Sequence, residues 1–88
     1  RNDLLSRKNF KKCIFISKIL KKLYDQINND FSKIKKINDI KFQISKLCSH
    51  IEYIEIRNKN NLTKNVNKTN FKIFIAYYIN NVRLIDNF

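Results

Sequence analysis

The residues whose types could do chemistry are few, and they sit close together. His50, Glu52 and Glu55 fall in one short stretch, and the two glutamates are three apart, which on a helix would put them on one face. One imidazole and two carboxylates could hold a divalent cation weakly. A structural zinc site needs a more compact set of four ligands, so a solvated helix face is the better reading and no metal is expected. Cys13 and Cys48 lie far apart, with no Cys-x-x-Cys pair. Each is expected to act as a small core residue rather than a ligand or a disulfide partner. The chain has no glycine, hence no glycine-rich phosphate loop, and no nucleophile stands near a plausible base. These features point to a non-enzyme without cofactor or small-molecule substrate.

The elements that would position such residues must come from a short, basic chain. Its 88 residues carry 19 Lys and Arg against 7 acids, a formal charge of +12. Self-repulsion at that level weakens a compact monomer, and a polyanionic partner would relieve it. The apolar share of 43% is too high for full-length disorder. Lys, Asn and Ile number 15, 14 and 15, while Gly, Pro, Met and Trp are absent. That usage matches the codons of a very AT-rich genome, which would inflate lysine whatever the function. Asn, favoured by the same bias, could have filled those positions without charge, so part of the basic character still needs a partner. The chain begins at Arg1, and a removed segment, either a targeting peptide or the rest of a longer protein, is expected before it. No apolar run approaches the ~20 residues of a membrane span.

With no Gly or Pro, Asn and Asp must mark the boundaries. Phe10, Ile14, Leu20, Leu23, Tyr24 and Ile27 recur at helical steps and predict a helix over about 3–28, with Asp3 as its cap. The segment "SKIKKIND" is a short extra helix or a basic connector. Ile40, Ile44, Leu47, Ile51 and Ile54 predict a second helix over about 39–57, capped by Asp39. A polar, basic loop follows over 58–70, and a densely apolar third helix over about 71–87. "KIFIAYYI" also suits a strand by its β-branched and aromatic residues. An isolated strand would lack a partner, so helix is preferred. The expected fold class is all-α, a single three-helix basic domain of residues 1–88 with a polar loop between helices two and three.

The stretch "IKFQISKLCSHIEYI" resembles the second helix of the fifteenth protein of the bacterial-type small ribosomal subunit. Gln43 stands where that family has its glutamine, and Ile44, Leu47, Ile51 and Ile54 match its apolar positions. Arg83, Leu84, Ile85 and Asp86 match the order of its C-terminal motif. The likeness covers residues 37–88. It departs where the family has an acid, here Lys41, and where it has a histidine, here near Arg57. "KFQ" with "IRNKNNLTK" resembles, more faintly, the twenty-ninth large-subunit protein.

The resemblance implies a structural constituent of an organellar ribosome, in a mitochondrion or plastid, with a cytoplasmic place as the alternative. Its partners would be rRNA and neighbouring ribosomal proteins. Arg57, Lys59, Lys64, Lys68, Asn70 and Lys72 are the expected RNA contacts, neutralising phosphates at the loop and the third helix start. The rival expectation is a non-catalytic helical subunit docked into a protein assembly through Phe74, Tyr77 and Tyr78. A further rival puts residues 8–24 on anionic lipid as a basic amphipathic helix.

Overall fold

The computed structural model describes residues 6–67 and 69–88. The expected cap Asp3 and the expected contact Lys68 lie outside the described residues. Helix α1 spans Arg7–Asn29 and starts at Ser6, whose Oγ accepts a hydrogen bond from the Asn9 N–H at 3.2 Å. Its buried side chains are Cys13, Ile16, Leu20, Leu23 and Ile27, a three-four-three-four spacing that keeps one stripe inward. Phe10 and Ile14, expected on that stripe, are 39% and 42% exposed. The seam runs through Cys13 and Ile16 instead.

Asp30 ends α1 in an extended conformation and starts the next turn. Its carboxylate accepts from the Ser32 N–H and Oγ. A 3-10 helix over Phe31–Lys36 leads directly into helix α2, Ile37–Ser45. Asp39 lies in the first turn of α2 rather than at its cap. Leu47 and Cys48 both donate to the Ile44 carbonyl and close the helix.

Beyond Ser45 the all-α expectation fails. Strands β1 (His50–Asn58), β2 (Phe71–Ile79) and β3 (Val82–Asn87) form an antiparallel sheet in the order β1-β2-β3. Two physical features explain the error. The β1–β2 register shifts between Ile51 and Tyr53, so the strand holds one extra residue there. Ile51 and Ile54 therefore oppose Tyr77 and Ile75, on the same face, despite a spacing of three. A bulged strand thus imitated a helical stripe. The second feature is the β2–β3 connection, a two-residue hairpin loop of Asn80 and Asn81. Asn80 takes φ 55°, a left-handed value that asparagine tolerates. Without a glycine the turn left little trace, and the strand at residues 71–79 had two partners after all.

Strand β2 is the middle of the fold. Phe71, Ile73, Ile75, Tyr77 and Ile79 alternate along it and are all buried. They join the α1 seam, Ile44 of α2 and Ile54 of β1 in one core. Tyr24 and Phe31 pack their rings on Phe71, at 4.8 and 6.2 Å between centroids. Each buried aliphatic chain contributes about 1.5–3 kcal/mol by leaving water. The helices thus cover one face of a three-stranded sheet.

Candidate functional site

The two ends of the sheet differ in what their polar side chains do. At the end where β1 leaves and β2 enters, the loop 58–70 closes on itself. Asn58 is buried; its Nδ2 donates to the Asn65 carbonyl at 3.0 Å and its Oδ1 accepts from the Asn60 N–H at 2.8 Å. Asn61 caps Thr63, and Asn67 caps Thr69, each through a carboxamide oxygen that accepts from N–H and hydroxyl. These short Asx turns give the backbone the partners a sheet would otherwise supply.

The expected RNA contacts fall on this loop and the strands beside it. Arg57 pairs with Glu55, Nη2 to Oε2 at 2.6 Å. Asn70 Oδ1 accepts from the Asn67 N–H at 2.7 Å. Lys72 Nζ donates to Asn87 Oδ1 at 3.2 Å. Lys59 and Lys64 are exposed. So the structure brings Arg57, Asn70 and Lys72 to one end but engages them in internal bonds.

The expected docking trio is split by strand alternation. Tyr77 points into the core, while Phe74 and Tyr78 stand half-buried on the sheet face away from the helices. The reason is the period of two: neighbours on a strand face opposite ways. Burial, with the Cys13 thiol beside it, pushes the Tyr77 hydroxyl well above its ordinary 10.0. Cys48 is likewise pushed up by burial, which keeps it a thiol and a poor nucleophile at neutral pH. Both cysteines are free.

At the opposite end the arrangement opens outward. A cleft of about 440 Å³ lies where α2 meets the start of β1, lined by Asn38, Lys41, Phe42, Ser45, Ser49 and His50 among others. The α2 residues fall at i, i+3, i+4 and i+7, one continuous stripe. The opposite stripe, Ile37, Ile40 and Ile44, packs on the core. The β1 wall is tied to the sheet. The Ser49 N–H donates to the Tyr78 carbonyl at 2.8 Å, and Ser49 Oγ accepts from the Asn80 N–H at 2.9 Å. His50 sits beside the Tyr78 ring, 6.1 Å between centroids.

Among the described residues no carboxylate lines this cleft. The acid two residues along β1, Glu52, is clasped by Arg83, with Nε to Oε1 at 3.1 Å and Nη2 to Oε2 at 2.8 Å. That hydrogen-bonded guanidinium holds the Glu52 carboxyl below its ordinary value, and so its charge is met locally. What faces the cleft is one lysine amine, one imidazole, the Ser49 hydroxyl, a carboxamide, an aromatic ring and Ile51, while the Ser45 hydroxyl donates to the Phe42 carbonyl at 2.6 Å. The sequence reading considered His50 only as a metal ligand. Among the described residues no group of three His, Cys, Asp or Glu could hold a metal ion. The signal for the cleft was the outer stripe of α2, which pairs a lysine with an aromatic opposite an isoleucine seam.

Fold and site together define a small mixed helix-and-sheet domain with an open cleft where α2 meets β1. The chain belongs to the Pantoate-beta-alanine ligase family, whose model matches residues 1–88. No curated protein and no solved structure matches it. The family match replaces both ribosomal resemblances, which rested on a second helix that in the fold stops at Ser45 and gives way to strand β1. It also overturns the non-enzyme reading and the expected rRNA and ribosomal-protein partners, because this is an enzyme family acting on small molecules. The non-catalytic docked subunit falls for the same reason. Among the described residues, no helix is long and apolar enough to cross a membrane.

Proposed function

We propose that this chain is part of an enzyme that joins pantoate to β-alanine through an amide bond, driven by ATP. The observation that carries the reading is the family match along the whole chain. Charge supports it. Pantoate is a carboxylate, ATP a polyphosphate and β-alanine a zwitterion, so a surface at +12 attracts two of the three and raises their encounter rate. The cationic character first read as a sign of RNA suits small anions equally well.

The chemistry sets what the protein must supply. A carboxylate and an ammonium do not condense unaided in water. A carboxylate oxygen of pantoate must first attack a phosphorus of ATP, forming a C–O–P anhydride bond while the P–O bond to the departing pyrophosphate or ADP breaks. The neutral amine of β-alanine then forms the C–N bond, the activated C–O bond breaks, and a proton is lost from nitrogen. Each step handles negative oxygen, which ammonium, imidazolium and hydroxyl donors stabilise best when water is excluded. Lys41 on α2, His50 on β1 and the Ser49 hydroxyl in the bend between them carry groups able to bond such oxygens, whereas the Ser45 hydroxyl is given to the Phe42 carbonyl.

The test is direct. The purified protein carrying this chain is incubated with pantoate, β-alanine and ATP, and the products are followed by mass spectrometry. The expected product has the mass of both acids less one water, and omission of any one substrate abolishes it. Folded protein that forms no amide with all three present overturns the reading.

A further inference from the structure

We propose that the outward face of α1 binds an anionic lipid surface, with its lysines on the headgroup phosphates and Phe10, Ile14 and Phe15 entering the apolar layer beneath. This goes beyond the ligase reading and does not depend on it, because vesicle binding needs no substrate.

Charge is the first observation. From Arg7 to Tyr24 the helix has no acid; the first is Asp25. Arg7, Lys8, Lys11, Lys18, Lys21 and Lys22 are all exposed, and among the described residues none of them makes an ion pair. An anionic leaflet attracts clusters of about four to eight basic residues on a helix, with about fivefold in affinity per cation.

The apolar side chains then distinguish a lipid from other polyanions. The inward seam of α1 is Cys13, Ile16, Leu20, Leu23 and Ile27. Phe10, Ile14 and Phe15 lie off that seam and are 39%, 42% and 56% exposed. At about 3.6 residues per turn, Lys11 and Lys18 fall between Ile14 and Phe15 on the outward side. A soluble polyanion satisfies the cations and leaves these three apolar side chains in water. A bilayer offers phosphates at its surface and hydrocarbon just below. Lysine stems are long enough to keep the ammonium at the phosphates while the apolar side chains go deeper.

Shape agrees with a flat partner. A helix of 23 residues is about 34 Å long, and the molecule measures 37 × 22 × 17 Å. Helix α1 therefore runs along the long dimension and can lay its cations on one plane together. Beside it a hollow of about 240 Å³ is lined by Phe10, Ile14 and Phe88 together with Lys18 and Lys21. An acyl chain on the apolar wall with its phosphate on the two ammoniums suits that composition.

Other surfaces lack the combination. The open sheet face carries Phe74 and Tyr78, but its arginines are already paired, Arg57 with Glu55 and Arg83 with Glu52. Helix α2 offers one exposed ring, Phe42, with Asp39 on the same short helix.

In the experiment the intact protein is floated with vesicles of phosphatidylcholine alone, or with about one third phosphatidylserine. Binding is expected to the anionic vesicles only, and it should weaken as salt rises. Lys11→Gln with Lys18→Gln should lower the partition coefficient about twentyfold, two cations at about fivefold each. Lys59→Gln with Lys64→Gln, the same charge change at the loop end, should lower it less than about threefold. Ile14→Ser with Phe15→Ser leaves the charge alone and should lower it about tenfold through lost apolar burial. The chain has no tryptophan, so Phe15→Trp supplies a single reporter whose emission should shift to the blue on anionic vesicles. All these positions are exposed, and matching circular dichroism spectra confirm that the variants fold. Failure to float with anionic vesicles overturns the proposal. So does an equal loss from the two lysine pairs, a serine pair that binds like the parent, or unshifted emission from the Phe15→Trp variant. Tight binding to polyglutamate or duplex RNA without vesicle binding assigns the face to a soluble polyanion and equally overturns it.

Discussion

The two ends of the sheet are built from similar residues and do opposite work. At the loop end, asparagines and threonines bond to their own backbone, Arg57 is paired with Glu55, and Lys72 reaches Asn87. At the cleft end, Asn38, Lys41 and His50 face outward into a concavity that no carboxylate of the described residues lines, and the Ser45 hydroxyl is given to the Phe42 carbonyl. Richness in basic and polar residues does not by itself mark a binding surface.

The largest test of that contrast removes the centre of the loop end. Asn58→Ala strips the bonds to Asn60 and Asn65 from a buried position. It should destabilise the protein by about 2–3 kcal/mol in urea unfolding, while amide formation by the folded variant stays unchanged. A stability within error of the parent would mean the asparagine loop is not a structural device.

A second test concerns the core that lies between the ends. Because the Tyr77 hydroxyl is raised above its ordinary 10.0, the unfolded chain loses this proton first. Its contribution to stability is complete below about pH 10 and is lost as pH climbs above that. Tyr77→Phe should flatten the alkaline fall in melting temperature. An identical fall in both proteins would place Tyr77 in contact with water.

Leu62 offers a smaller effect. It sits at φ 61° and is 62% exposed, a left-handed conformation that disfavours leucine by roughly 1–2 kcal/mol. Leu62→Asn, which tolerates that region, should stabilise by about 1 kcal/mol. Loss of stability would show that its apolar contact over the sheet face outweighs the strain.

The smallest effect is at Glu52. Arg83 lowers its pKa, so the stabilisation exists above the ordinary carboxylate value and is lost as pH falls through the lowered one. Both partners are well exposed and screened. Glu52→Gln should therefore barely change the melting temperature at pH 7 and should remove only a slight acid-side dip. A large loss at neutral pH would make this pair a structural anchor.

How much of this was legible in the sequence depends on local chemistry. Helix α1 was readable because Leu20, Leu23 and Ile27 recur at helical steps with lysines between them. Its first half was misplaced by one stripe, since Phe10 and Ile14 are as apolar as Cys13 and Ile16. The loop over 58–70 was legible from its asparagines. Strand β1 was not, because the bulge at Ile51–Tyr53 converts a period of two into a spacing of three. Strand β2 was weighed and rejected for want of a partner, because β1 read as helix and the β2–β3 turn is Asn-Asn rather than Asn-Gly. The cleft was hidden for a related reason. With β1 read as helix, His50 seemed to continue α2, whereas in the fold it comes from a second wall that faces Lys41.

The most direct measurement compares ligation by two double variants of the protein. Lys41→Gln with His50→Gln removes the two basic side chains of the cleft, and Lys59→Gln with Lys64→Gln removes the same number from the loop end. The structure predicts that kcat/KM falls at least about tenfold for the cleft pair and stays within about twofold for the loop pair. A reversed ranking, with the loop pair impaired and the cleft pair active, would contradict the assignment of function to the α2–β1 end.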